Sequence, residues 1–152
     1  MKNYILIREN NFEKARKEIR ENQNKGKTII FSSNDEELDR KILEKESVDI
    51  LLLNQSNKKD KLKQRDSGFN HVMAKTAKEK NITIGINLDE IIHSDKRNRA
   101  KILGRVRQNI ELCKKVKLKM MFFSEKEKRN SIELKALGSV LGMPTNMIKD
   151  FQ

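Results

Sequence analysis

The sequence predicts an α/β fold in which about five strands alternate with helices. Short apolar runs with β character recur along the 152 residues, and segments with helical spacing of their apolar residues separate these runs. The run "ILLL" at residues 50–53 is continuously apolar, as in a strand whose two faces are both covered. Because strands that alternate with helices form parallel sheets through crossover connections, we expect parallel pairing.

The first part of the chain predicts strands separated by helices. The strands are predicted at residues 3–8, 27–33 and 48–54. The helix predicted at residues 10–23 begins with an asparagine cap and places Phe12, Ala15 and Ile19 at helical spacing. The helix predicted at residues 34–47 carries acidic residues in its first turn, where they complement the helix dipole.

A polar, basic segment at residues 55–68 follows the third strand and has no apolar periodicity, which predicts a long loop of the kind that is usually functional or disordered. Gly142 and Pro144 end the last long helix. No repeat or low-complexity linker divides the chain, so we predict a single domain over residues 1–152. The remaining elements predicted are helices at 69–80, 96–117 and 131–142, strands at 82–87 and 118–124, a short turn-rich element at 88–95, and a further helical turn at 144–151.

The composition points to a polyanionic partner. The formal net charge is +12, and nucleic acid and an anionic membrane surface are the two candidate partners. The apolar runs have only strand length, so we expect neither a signal peptide nor a membrane-spanning helix. Cys113 is the single cysteine, which excludes an internal disulfide and fits a reducing cytoplasm. One cysteine and two separated histidines also argue against a zinc site.

The predicted helix at residues 96–117 is the most basic segment. It contains nine basic residues and one acid, Glu111, so it forgoes the mixed charges of an ordinary surface helix. Its buried stripe is predicted to be Leu103, Val106, Ile110 and Cys113. Basic side chains are predicted opposite the stripe at Arg97, Lys101, Arg105 and Lys115, and at its borders at Arg99, Arg107 and Lys114.

Such a face suits phosphate groups, because arginine forms paired hydrogen bonds with phosphate oxygens. The stripe lacks aromatic residues and the chain lacks tryptophan, which disfavours a membrane-surface helix. An aromatic fraction of 5% disfavours a platform that stacks single-stranded bases. A solvated charged face without a partner remains the alternative. The RNA-binding residues predicted on this helix are Arg97, Arg99, Lys101, Arg105, Arg107 and Lys114.

The segment "QRDSGFNHVMAK" at residues 64–75 precedes a predicted helix. In its structural interpretation, Asp66 or Ser67 caps the helix and Gly68 relieves a turn. Core contacts are then expected from Val72, Met73 and Ala77. A Ser-His-Asp triad is disfavoured, because three members this close together at a helix start rarely reach the required geometry.

A hydrogen-bonding role fits this segment better, since Lys63 and Arg65 precede a helix N-terminus with free N–H groups. These two residues belong to a second basic patch, which we predict to bind RNA. The residues predicted to contact a partner or RNA are Asp66, Ser67, Gly68, Asn70 and His71.

The segments "RDSGFNHVMAKTAKEKNITIGINLDEII" (65–92) and "RNRAKILGRVRQNIELCKKVKLKMMFFS" (97–124) together resemble the archaeal RNase P protein component 3 family, a relative of the thirty-kilodalton subunit of the eukaryotic enzyme. The family pattern joins a "VDIL" strand, a D-S-G-x-x-H-V turn and helix, another strand and a basic helix. The resemblance extends over residues 27–143. Its most specific part is the D-S-G-x-x-H-V segment coupled to the basic helix.

The resemblance implies a TIM-barrel-like fold similar to the polymerase and histidinol phosphatase superfamily, without a catalytic metal cluster. Family members are longer, so about five strands imply a truncated or open barrel and a domain shortened at both ends. The implied function is that of a non-catalytic protein subunit of ribonuclease P, in which RNA removes 5′ leaders from precursor tRNA. No cofactor is expected on the protein, and magnesium is expected on the catalytic RNA. The implied partners are RNase P RNA, precursor tRNA, the small ferredoxin-like subunit and other RNase P proteins, with no membrane.

Other functions remain open at the level of the residues. A stand-alone metal-dependent phosphoesterase would need several His, Asp and Glu ligands that converge at strand ends, whereas His71 and His93 are far apart in sequence. A generic basic RNA-binding domain would show no preference for one RNA.

Overall fold

A computed structural model describes residues 3–56 and 58–149. Residue 57 of the predicted loop, the last positions of the turn predicted at 144–151, and the two ends of the predicted 1–152 domain lie outside the described residues. The strands are β1 (Tyr4–Arg8), β2 (Thr28–Ser32), β3 (Ile50–Leu53), β4 (Thr83–Asn87) and β5 (Met120–Phe123). The helices are α1 (Phe12–Asn22), α2 (Glu36–Lys45), α3 (His71–Glu79), α4 (Leu88–His93), α5 (Lys96–Val116) and α6 (Ser131–Val140), followed by a 3-10 turn at Thr145–Met147.

The five strands form one parallel sheet in the order β1-β2-β3-β4-β5. Each strand therefore pairs with its neighbour in sequence, as strands do around a barrel. The prediction of five parallel strands alternating with helices is confirmed. The carboxyl ends of all five strands lie at one edge of the sheet, so the segments that follow them share that edge.

The core has two parts because side chains alternate between the faces of a strand. Phe31, Leu51 and Ile84 pack against the helices in the larger cluster. Ile30 and Leu52 point to the opposite face, where a second cluster contains strand residues only. We call this second surface the inner face. Its buried members are Ile30, Ile50, Leu52, Met121 and Phe123.

The first and last strands approach each other across the inner face. The rings of Tyr4 in β1 and Phe123 in β5 have centroids 5.4 Å apart and planes at 84°. Arg8, the last residue of β1, forms an ion pair with Glu125, which follows β5. These contacts close the inner face although β1 and β5 do not pair, which is the open form of the predicted barrel.

Side-chain caps set the helix starts. Asn11, Asp35, Asn87 and Asn130 each accept backbone N–H groups in the first turn of the helix that follows. The element predicted as turn-rich at residues 88–95 is helical from Leu88 to His93. Among the described residues, no helix combines the length and the apolar character that crossing a membrane requires.

Candidate nucleic-acid interface

Helix α5 presents a basic face to solvent. Asp95 caps its start by accepting the N–H of Asn98 at 2.9 Å, and Lys117 ends it in the left-handed conformation at φ 57°. One acid interrupts the cations, since Glu111 pairs with Lys114 at 3.4 Å. The exposed basic residues of α5 are Lys96, Arg97, Lys101, Arg107, Lys114 and Lys115.

The position of Arg105 differs from the one predicted for it on the basic face of α5. We expected its side chain opposite the apolar stripe, but the residue is buried, with 3% of its surface exposed. Position 105 lies within the buried stripe, which includes Ile102, Val106 and Asn109. The prediction that Arg105 projects to solvent is therefore wrong. Leu103, which was expected in the stripe, is half-buried at its border.

The Arg105 guanidinium binds the loop that follows β3. It donates to the carbonyl oxygens of Gln55 at 3.3 Å and Lys58 at 2.8 Å, and to Asp60 Oδ1 at 3.1 Å. The pKa of the Asp60 carboxyl lies below its ordinary value because the backbone N–H of Asp66 and the Arg105 guanidinium both hydrogen bond to it. Arg105 therefore fixes the loop to α5.

Arg99 is half-buried, and its guanidinium binds carbonyl oxygens at the C-terminal end of α4. Its Nε donates to the carbonyl oxygen of Ile91 at 2.7 Å, and its Nη2 donates to those of Ile92 and Ser94 at 3.0 and 2.8 Å. These contacts satisfy carbonyl groups that a helix C-terminus leaves unpaired. Most of the hydrogen-bonding capacity of this guanidinium is thus used inside the protein.

The basic loop (residues 58–70) lies against α5, so the two basic patches predicted separately form one surface. Lys59, Lys63 and Arg65 are exposed along this loop. Other loop cations are paired, because Lys58 Nζ lies 3.5 Å from Glu36 and Lys61 Nζ lies 3.6 Å from Asp66. The exposed loop cations and those of α5 therefore form one basic surface, which suits a phosphate backbone.

A groove of about 690 Å³ lies along α5 beside Arg65 of the loop. Arg65 lines it from the loop, and Gly104, Arg107 and Gln108 line it from the helix. Gln108 Nε2 donates to the carbonyl oxygen of Arg65 at 3.1 Å, which holds the loop over the helix. Gly104 and Gln108 were not predicted from the sequence as site residues. A glycine in the middle of a long helix is a local signal that could have indicated a close approach of another segment to the helix, here by the Arg65 side chain.

The D-S-G segment is a structural turn. Ser67 is buried, and its Oγ donates to the carbonyl oxygen of Phe69 at 3.3 Å. Gly68 has φ 73°, and its N–H donates to Asp66 Oδ1 at 3.0 Å. The predicted turn at Gly68 is confirmed. Since Ser67 and Gly68 are buried and Asp66 is half-buried, this part of the segment offers little surface to a partner.

Asn70, rather than Asp66 or Ser67, caps α3, since its Oδ1 accepts the N–H of Met73 at 3.0 Å. The cap explains why the helix begins at His71 and not at the predicted residue 69. Val72 is 65% exposed, so its predicted core position is wrong. Met73 and Ala77 are buried as predicted. Asn70, the last residue of the basic loop, and His71, the first residue of α3, are exposed.

Polar side chains occupy the carboxyl ends of the central strands. Asn54 Nδ2 donates to Ser32 Oγ at 2.7 Å, and Asn87 Nδ2 donates to Asn54 Oδ1 at 2.9 Å. Active sites of barrel enzymes lie at this edge. Within residues 3–56 and 58–149, no three His, Cys, Asp or Glu side chains are grouped so that they could hold a metal ion.

Comparisons with known proteins agree on one family. A family model described as RNase P subunit p30 matches residues 5–150. Ribonuclease P protein component 3 of Methanosarcina acetivorans is 30% identical over 143 residues, which cover 91% of this chain and 57% of that protein. The protein of the same name from Methanococcus vannielii is 28% identical over 111 residues, with coverage of 73% and 46%. The chain spans about half the length of these curated relatives.

A solved structure shares the fold. One chain of the cryo-EM structure of archaeal ribonuclease P with mature tRNA superposes with a TM-score of 0.74 and 25% sequence identity. The match covers 91% of this chain and 59% of that chain. The family match contains every strand except the first residue of β1, together with the basic loop and α5. The chain belongs to the RNase P subunit p30 family.

Proposed function

We propose that this protein is a non-catalytic RNA-binding subunit of ribonuclease P, which supports the RNA-catalysed removal of 5′ leaders from precursor tRNA. Membership of the RNase P subunit p30 family supports the proposal, as does the fold shared with a chain of archaeal ribonuclease P. The observation that carries it for this chain is the continuous basic surface formed by α5 and the basic loop.

The surface suits backbone recognition. Arg97, Lys101 and Arg107 project from one helix and are exposed, while Lys63 and Arg65 extend the surface along the loop. Contacts of this kind neutralise phosphates and release counterions, so they give affinity that falls steeply with salt and carries little base specificity. Specificity for one RNA would then come from the RNA's shape and from partner proteins.

In this proposal, the partners are RNase P RNA, precursor tRNA, the small ferredoxin-like subunit and other RNase P proteins. The protein holds no cofactor, and magnesium belongs to the catalytic RNA. The cytoplasm is the proposed location, where Cys113 remains a buried thiol. Burial raises the pKa of that thiol to about 12, which keeps it protonated and unreactive.

A first experiment asks which RNA the protein carries. The protein would be isolated from its native cells, its bound RNA sequenced, and the eluate tested on precursor tRNA. We expect RNase P RNA and leader cleavage. Mixed RNA without cleavage would contradict the proposal and leave a generic RNA-binding domain.

A second experiment tests the surface itself. The triple variant Arg97→Ala, Lys101→Ala, Arg107→Ala should bind RNase P RNA at least about tenfold more weakly than wild type. The slope of log K against log salt should fall by about 2 to 3, since each lost phosphate contact contributes about 0.9. Filter binding at several salt concentrations measures both quantities.

The matched control removes the same charge from another surface. Lys14, Lys17 and Lys25 are exposed on α1 and the turn after it. Replacing these three by alanine should change affinity far less than the α5 variant. Equal losses in the two triple variants would mean that total charge, not the α5 surface, determines binding.

A further inference from the structure

We infer that the groove between Arg65 and α5 binds one phosphodiester group of the RNA. We also infer that Gly104 positions Arg65 for this contact, because the Arg65 guanidinium lies against the helix where Gly104 has no side chain. We call this position of Gly104 under the guanidinium the seat of Arg65. The inference rests on the proposed RNA-binding function, and it adds a phosphate-binding groove and the residue that positions Arg65 in it. Arg65 lines the groove from the loop, and Gly104 and Arg107 line it from α5.

Gly104 has no side chain where the Arg65 guanidinium lies. A Cβ atom placed on Gly104 would lie 2.8 Å from Arg65 Cζ and 3.0 Å from both Nε and Nη1. A side chain at position 104 would therefore force the guanidinium, which is the end of the flexible Arg65 side chain, to move away from the helix. Glycine is unfavourable in the middle of a helix. Gly104 therefore lowers the stability of α5 while it allows the Arg65 guanidinium to approach the helix backbone.

Hydrogen bonds from α5 side chains hold the loop backbone in place on the helix. Gln108, one turn after Gly104, donates to the carbonyl oxygen of Arg65 at 3.1 Å. Arg105 holds the start of the loop through Lys58 and Asp60. Arg65 is thus held through its backbone carbonyl, while its guanidinium lies against Gly104 and the residue is exposed.

Two arginines that line one groove suit a phosphodiester, because each planar guanidinium can donate two hydrogen bonds to its oxygens. Arg107 is exposed on the helix side of the groove. Glu111 also lines the groove, but its Oε1 pairs with Lys114 at 3.4 Å. The groove lies inside the larger basic surface, so a polyanion that contacts Arg97 and Lys101 passes over it.

The test compares Gly104→Ala with Arg65→Ala, using RNase P RNA transcript as the probe. The alanine at position 104 changes no charge and should raise the melting temperature or leave it unchanged, because it improves helix propensity. It should nevertheless weaken RNA binding about tenfold and lower the salt slope by about 1, as Arg65→Ala does. The double variant should bind no more weakly than Arg65→Ala alone, since the seat acts only through Arg65.

Several outcomes would overturn the inference. Wild-type affinity in Gly104→Ala, with a loss in Arg65→Ala, would eliminate the seat. Wild-type affinity in both Arg65→Ala and Arg107→Ala would eliminate the phosphate site while leaving RNA binding intact. Absence of binding by the wild-type protein would instead refute the proposed function. Lys17→Ala on α1 is the control for loss of one exposed charge.

If Gly104→Ala melts below wild type, Arg65→Lys gives the decisive measurement. Lysine keeps the charge but lacks the planar group that lies flat on Gly104. We expect it to weaken binding nearly as much as Arg65→Ala. Wild-type affinity in Arg65→Lys would show that charge alone is needed, and the seat would be refuted.

Discussion

Asp39 is a buried carboxyl group on the face of α2 that packs against the core. It is 4% exposed and accepts a hydrogen bond from Ser33 Oγ at 2.7 Å. Burial raises its pKa to about 7, although the Ser33 hydrogen bond and the charge of Lys58 act in the opposite direction. The carboxyl therefore holds a proton in the folded protein at pH values where the unfolded chain has lost it.

This difference predicts a pH dependence of stability. Between about pH 4 and 7 the folded state binds the additional proton, so the free energy of unfolding falls as pH rises through that window. We expect a loss of about 2 kcal/mol between pH 5.5 and 7.5 in urea unfolding. Asp39→Asn should remove most of this loss and be more stable than wild type at pH 7.5.

The control for this prediction is Glu37→Gln, on the exposed side of the same helix. It should leave the pH dependence as it is in the wild type. An unchanged pH dependence in Asp39→Asn would mean that another group titrates in this range.

At the scale of elements, the basic loop depends on α5 for its position. Residues 58–70 contain one small isolated pairing, between Lys61 and Gln64, and little apolar burial before Phe69. Arg105 and Gln108 of α5 donate hydrogen bonds to the loop, and the Lys58–Glu36 ion pair also contacts it. Polar contacts thus order this loop, and the buried Arg105 guanidinium supplies two of them.

Arg105→Ala should therefore release the loop as well as destabilise the protein. The change removes hydrogen bonds to buried carbonyl oxygens and to Asp60, so we expect a loss of about 3 kcal/mol in the free energy of unfolding. Trypsin should cleave after Lys59, Lys61 or Lys63 much faster than in the wild type. Urea unfolding and mass spectrometry of the early fragments measure the two effects.

The neighbouring exposed arginine provides the comparison. Arg107→Ala should change the free energy of unfolding by no more than about 0.5 kcal/mol and leave the loop resistant to trypsin. Similar behaviour of the two variants would contradict the assignment of Arg105 as the residue that holds the loop.

At the scale of the whole molecule, the sheet is open in its hydrogen bonding but closed by side chains. Tyr4 and Phe123 meet across the inner face, and Ile148 lies beside Met120 in a parallel bridge at the edge of β5. The contact between Tyr4 and Phe123 shows that the sheet curls enough to bring its first and last strands together. The inner face can therefore be buried with five strands, although a full barrel has eight.

We expect Tyr4 and Phe123 to be energetically coupled. A double-mutant cycle with Tyr4→Leu and Phe123→Leu should give a coupling of about 0.5–1.5 kcal/mol, the range for an edge-on aromatic pair. Phe122 is the matched control, because it points to the helix-covered face. A cycle of Tyr4 with Phe122 should show no coupling, and equal coupling in both cycles would exclude a specific contact across the inner face.

The sequence predicted the fold better than the binding surface. Apolar periodicity located every strand to within two residues of its observed bounds, because burial on one or two faces leaves a regular pattern. The family resemblance was also carried by local motifs, and the comparisons confirm it. The predicted RNA contacts and the predicted single domain remain predictions.

Composition and local pattern alone determined that this is a basic α/β protein with five strands, a long basic helix and a basic loop, in that order. Only the tertiary structure decided which cations are available to a partner. Arg99 and Arg105 look like Arg97 and Arg107 in the sequence, yet their guanidinium groups bind carbonyl oxygens inside the protein. The physical reason is that those acceptors belong to α4 and to the loop after β3, and folding alone brings them to the helix.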